Sequence, residues 1–142
     1  MKRITIVLVF LATAVVLAAC GSGTDSAAVS GKVIKSGPAG NNLTASISNS
    51  DGVLRKGRQE FTLTLADAKG DPVDVGAVAL NFFMPAMGSM SAMNNPATFT
   101  TTGKPGIYAG NAEIEMAGEW QAQISYEGPS GKGKFSIPVS AQ

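Results

Sequence analysis

Leu43-Thr-Ala-Ser-Ile-Ser48 alternates apolar and polar residues, and Phe61-Thr-Leu-Thr-Leu65 repeats the pattern with larger side chains. Successive side chains of a strand point to opposite faces, so Leu43, Ala45 and Ile47 share one face and Thr44, Ser46 and Ser48 the other. The two runs predict a half-buried strand pair. Between them lies a polar loop, 51–58, carrying Asp51, Arg55, Lys56 and Arg58.

Downstream, Asp67-Ala-Lys-Gly-Asp-Pro72 is dense in turn formers, and five further strand candidates follow. Segment 77–84 puts Val78, Leu80, Phe82 and Met84 on one face, and 97–102 is short and rich in threonine. Segment 107–114 comes next, then 119–126, in which Trp120, Ala122, Ile124 and Tyr126 share a face. The last, 134–139, turns Phe135, Ile137 and Val139 inward, and Pro138 on the opposite parity marks it as an edge strand. No helical period is present. Seven short antiparallel strands in about 100 residues predict an all-β fold, an immunoglobulin-like antiparallel β-sandwich. A small barrel is the alternative. Without a disulfide between the sheets, packing around Trp120 must supply the core.

The 142-residue chain has no histidine and a single cysteine, Cys20. These absences exclude Ser/His/Asp and Cys/His catalysis, a histidine base, a His/Cys zinc site and an intrachain disulfide. Charged residues make up 15% and the net charge is +1, too little field to hold a nucleic-acid backbone. Glu113 and Glu115 fall on one strand face and read as solvated charge, as do Arg55, Lys56 and Arg58. No enzyme is expected.

Lys2 and Arg3 precede an apolar run from Ile4 to Val16, and Leu17-Ala-Ala-Cys20 follows. The run is shorter than the ~20 apolar residues a membrane-spanning helix needs, and it reads as a secretory signal. Leu-Ala-Ala-Cys resembles the lipobox of bacterial lipoproteins. That resemblance implies a signal peptide over 1–19, cleaved to leave a lipidated Cys20, and export across the bacterial inner membrane. The protein would then be lipid-anchored to a cell-envelope membrane. Gly21 is not the aspartate of inner-membrane retention, so an outer membrane, where present, is the expected destination. Cleavage takes Lys2 and Arg3 from eleven cations, leaving nine against ten anions. Segment 20–40, rich in Gly, Ser and Ala, reads as a lipidated tether, and 41–142 as the folded domain.

Met84, Met87, Met90 and Met93 fall at intervals of three within Met84-Pro-Ala-Met-Gly-Ser-Met-Ser-Ala-Met93. In an extended, polyproline-like segment of three residues per turn, all four thioethers would project from one side. Thioether sulfur is a soft, neutral ligand that selects Cu(I) over zinc and the hard cations. It needs no deprotonation and closes no disulfide, which suits an oxidising compartment. Methionine is also an adaptable core filler. Met84, Met87, Met90 and Met93 are all candidate ligands; for Met84 taken alone packing is preferred, because it continues the inward parity of Phe82, and metal binding is preferred for Met87, Met90 and Met93 in their polar loop.

If consecutive strands alternate in direction, loop 51–58, the methionine loop and Met116-Ala-Gly118 all lie at one end. Met116 becomes a further candidate ligand there, with Trp120 beneath it as a core aromatic. By the same count the first strand starts at the opposite end, so the tether would hold the methionines away from the membrane.

Leu65-Ala-Asp-Ala-Lys-Gly-Asp-Pro-Val73, Val78-Ala-Leu-Asn-Phe-Phe-Met-Pro-Ala-Met87, Gly106-Ile-Tyr-Ala-Gly110 and Met116-Ala-Gly-Glu-Trp120 together resemble the YtkA-like domain, related to the FixH-like proteins. The resemblance covers residues 41–139. It implies an extracytoplasmic, often membrane-anchored β-sandwich associated with copper handling, in maturation of copper oxidases or in heavy-metal efflux. Many members carry histidine near the methionine loop. This chain has none, which leaves Cu(I) thioether binding as the version its residues allow. The competing expectation is a protein–protein interaction module that uses the same loop as an adaptable apolar surface. A copper oxidase subunit or an efflux component is the partner implied in either case.

Overall fold

Nine strands form in the computed structural model, which describes residues 31–142. They are β1 (Lys32–Gly40), β2 (Leu43–Asn49), β3 (Gly57–Ala66), β4 (Ala77–Met84), β5 (Met93–Pro96), β6 (Thr98–Thr101), β7 (Ile107–Ile114), β8 (Gly118–Gly128) and β9 (Gly131–Ala141). Two antiparallel sheets, ordered β1-β2-β3-β7-β6 and β5-β4-β8-β9, face each other as the predicted immunoglobulin-like sandwich. Alternation becomes burial: Ala45, Ile47, Leu63 and Leu65 point inward from the first sheet, and Phe82, Trp120, Ala122 and Ile124 from the second, each buried. Burying each large side chain contributes about 1.5–3 kcal/mol, and this stands in for the missing disulfide. β9 is an edge strand, as Pro138 implied.

An aromatic seam joins the sheets. Phe61 on β3 and Phe99 on β6 both pair with Gly110 of β7, between them. The Phe61 ring meets Phe99 edge to face at 5.9 Å and Phe82 of the other sheet at 5.7 Å. A Cβ at position 110 would sit 2.6 Å from the Phe61 ring and 2.8 Å from the Phe99 ring. Glycine is therefore required there to admit both rings.

Three expectations need correction. Residues 32–40, read as part of the tether, are strand β1, which pairs with β2 from Lys32 opposite Asn49 to Gly40 opposite Leu43. Asn41 and Asn42 make the turn with φ of 51° and 58°, the two left-handed positions of a type I′ hairpin. Only Ala39 of β1 is buried, so the strand is held mainly by its backbone ladder. The Tyr126 hydroxyl adds a clasp, accepting from Asn41 Nδ2 at 3.0 Å and donating to the Ala39 carbonyl at 3.3 Å. The signal peptide, Cys20 and the tether up to residue 30 lie outside the described residues.

The strand count also rises because 93–96, expected as loop, is β5 on the edge of the second sheet. The chain then crosses to the first sheet at Ala97, whose N–H donates to the Leu80 carbonyl at 2.8 Å. Asn95, buried on β5, donates its side-chain amide to the Glu113 carbonyl of β7 and closes this side of the sandwich.

The added β1 reverses the polarity of the domain. Asn49, where Lys32 pairs, opens the β2–β3 connection; within that connection Leu54 bridges Ala141, and Ala141 pairs with Gly118. A Cβ on Gly118 would lie 3.1 Å from Cε of Met84. The described chain therefore starts at the methionine end of the sandwich, not at the opposite end.

The seam yields a direct check. Gly110→Ala should overpack the two rings and lower the unfolding free energy by about 1–3 kcal/mol. A shifted urea midpoint at unchanged slope is the expected result, and an unshifted midpoint would show the rings are not confined.

Candidate functional site

Five methionines outside Met1 gather at one end of the sandwich, and hairpin register decides what each does. β4 and β5 pair Met84 with Met93, and the same register continues to a bridge between Met87 and Met90. There the backbone exchanges both hydrogen bonds, Met87 N–H to the Met90 carbonyl at 3.1 Å and the reverse at 2.9 Å. Gly88 takes a φ of 56°, the left-handed value that opens a type II′ turn. The segment is thus a β-hairpin, not the three-per-turn extended chain expected from the spacing.

That difference splits the thioethers. Met84 and Met87 are three residues apart, an odd step, and strand alternation sends an odd step to the opposite face. Met84 is 1% exposed, whereas Met87 is 52% and Met90 39% exposed. Met93, across from Met84, is partly buried against the core, and so is Met116 on the β7–β8 connection. Met84 and Trp120 are the next residues beyond the Phe83–Gln121 pair of β4 and β8, and both are buried. The Trp120 indole N–H donates to the Met116 carbonyl at 3.1 Å, which fixes that connection over the core. Met84 beside Trp120, with Met93 across from Met84 and Met116 on the connection that Trp120 holds, therefore make an inner group packed on the core. Met87 and Met90 form an outer pair.

The outer pair presents two soft thioether donors on one exposed hairpin tip. A hydrogen-bonded cross-strand pair holds its Cα atoms about 5.5 Å apart, within reach of two flexible thioethers converging on one ion. From Val75 to Gly103 the chain carries no charged residue, so nothing at the tip favours a hard cation. Among the described residues no group of three or more His, Cys, Asp or Glu side chains could hold a metal.

Charged groups flank the end without joining the pair. A hydrogen bond from Arg55 holds the exposed Asp51 carboxyl below its usual range. At the other end, burial pushes the Tyr108 phenol up, and its hydroxyl donates to the Gly76 carbonyl at 3.1 Å. A hollow of about 420 Å³ on the outer face of the five-stranded sheet, lined by Glu60, Thr62, Thr100 and Asn111 among others, contains no methionine. Glu113 and Glu115 are both exposed, as expected of solvated charge. Asn95 and Gly88 were not singled out by sequence reasoning. The Gly-Ser pair between two methionines was the one available hairpin signal.

The two groups should separate by stability. Met84→Ala leaves a cavity beside Trp120 and should cost about 2–5 kcal/mol, whereas Met87→Ala with Met90→Ala should stay within about 0.5 kcal/mol of the parent. Urea unfolding followed by Trp120 fluorescence measures both, and equal losses would contradict the division.

A model of the YtkA-like family matches residues 39–125, more than half of the chain. The matched region runs from the end of β1 into β8 and contains all five methionines as well as Trp120. A comparison with the curated proteins finds no match. On the strength of the family match, the chain belongs to the YtkA-like family.

Proposed function

We propose that this protein is a lipid-anchored extracytoplasmic lipoprotein that binds or delivers Cu(I) through its methionine hairpin. The observation that carries the reading is the outer pair: Met87 and Met90, opposite each other on a closed hairpin tip and both exposed. A chain without histidine, whose only cysteine lies in a lipobox-like sequence, leaves thioether sulfur as its soft donor. Met93 and Met116, partly buried beside the tip, are the candidates to complete the coordination of a bound ion. Met84 serves as core.

Copper is cargo in this reading, held and passed on without a catalytic step. Neutral thioethers bind without releasing protons, so affinity should vary little with pH, and oxidation to sulfoxide should abolish it. Lipidation at Cys20 after removal of 1–19 places the domain on the periplasmic or extracellular side of a cell-envelope membrane. The acceptor or donor is a copper oxidase subunit or an efflux component.

The second reading, an interaction module without metal, draws on the same exposure: two large apolar side chains in water are an adaptable contact surface. The two readings part on one substitution. Met87→Leu with Met90→Leu keeps apolar area and removes sulfur. Titrated with Cu(I) against a competing chelator, the parent should bind and the double variant should lose at least about tenfold in affinity, roughly 1.4 kcal/mol. Between about pH 5 and 8, where histidine sites titrate, the parent affinity should stay flat. Equal binding by parent and variant would reject the outer pair as ligands, and retained partner capture by the variant with no effect of metal would favour the interaction module.

A further inference from the structure

The large apolar side chains left exposed among the described residues are Val33, Met87 and Met90, and all three lie at the methionine end. Residues preceding Gly31 also attach there, because β1 begins beside Asn49 and the β2–β3 connection. From Cys20 to Gly31 is eleven residues, which span at most about 40 Å in any conformation. The eleven-residue β8 runs from this end to the other, about 35 Å away. A lipid on Cys20 is thus joined to the sandwich at its methionine end, opposite the Asp67–Pro72 turn, by a tether long enough to let that end reach the bilayer; the tether alone does not fix the orientation, and the tip must supply it.

We propose that the hairpin tip Met87-Gly-Ser-Met90 is a bilayer contact, resting in the interfacial layer of the membrane that carries the Cys20 anchor. This rests on the lipoprotein reading above and adds the orientation of the domain and a second point of attachment. Three properties of the tip suit that layer. Its two exposed side chains are apolar. The whole run from Val75 to Gly103 is uncharged, so no ion loses hydration on contact. Both backbone hydrogen bonds of the Met87–Met90 bridge are closed, so partial loss of water leaves these groups satisfied.

Electrostatics contribute little to the contact. Lys32, Lys35, Arg55, Lys56 and Arg58 at or near this end are balanced by Asp51, Glu60, Glu113, Glu115 and Glu119, five of each sign. Anionic lipid headgroups therefore gain no net attraction, and the contact is apolar and insensitive to salt. Acyl chains supply the affinity and the tip supplies the orientation. Ions reach or leave the outer pair at the membrane surface, so an exchange partner is itself membrane-embedded.

The test uses the full-length lipoprotein in vesicles of mixed phosphatidylethanolamine and phosphatidylglycerol. Ser89→Cys places a thiol at the tip for an environment-sensitive fluorophore, and Lys69→Cys places one at the far end. With nitroxide-headgroup lipid present, the tip label should show blue-shifted emission and quenching several-fold above the far label, unchanged from low to high salt. Met87→Ser with Met90→Ser should abolish the difference while vesicle flotation and Trp120 emission persist. A floating protein whose two labels are equally wet overturns the bilayer contact alone. Quenching that needs a co-reconstituted membrane protein overturns it in favour of a protein contact. Failure to float, with no acyl mass on Cys20, overturns the anchor reading and the contact with it.

Discussion

One hairpin register, Met84 opposite Met93 and Met87 opposite Met90, sets the character of the methionine end. An interval of three residues on a strand of period two sends successive methionine pairs to opposite faces. Met84 joins Trp120 in the core, Met93 packs partly buried against it, and the outer pair stands in water on a tip whose backbone is already satisfied. The core role thereby falls to Met84, and the exposed thioethers are those of Met87 and Met90, within the same ten residues. The Met116 carbonyl, receiving the Trp120 indole N–H, ties the β7–β8 connection to the same layer.

The sandwich supports this end from both sheets. Asn95 binds β5 to the Glu113 carbonyl, and Gly110 lets Phe61 and Phe99 close over it, so the edge strands β5 and β6 are anchored where the chain changes sheets. β1 adds the polarity. Pairing Lys32 with Asn49 starts the described chain beside the methionines, so its start and the candidate site share one end.

The core strands were legible because one face of each is buried. Leu43, Ala45 and Ile47 in β2, and Trp120, Ala122 and Ile124 in β8, show in their alternation the faces they bury. β1 was not legible for the opposite reason: Lys32 to Gly40 buries only Ala39, and a strand held by its ladder leaves no apolar period. Its signal was in the turn, Asn41-Asn42, which suits the left-handed positions of a two-residue hairpin. β5 was hidden likewise, since Met-Asn-Asn-Pro has no alternation and lies on an edge. The methionines were found by their spacing, but their geometry was misread because Gly88-Ser89 turns the chain back on itself. Without β1 the strand count gave the wrong end for the start of the domain.

The central claim is that sulfur at the outer pair receives a soft monovalent ion while Met84 remains core. Methyl resonances of ¹³Cε-labelled methionine, followed as Cu(I) or its redox-inert analogue Ag(I) is added, test it residue by residue. The Met87 and Met90 methyls should shift together and saturate at the same stoichiometry, with Met84 unmoved and its Trp120 ring-current shift retained. Unmoved Met87 and Met90 methyls, or a response led by Met84, would contradict the account.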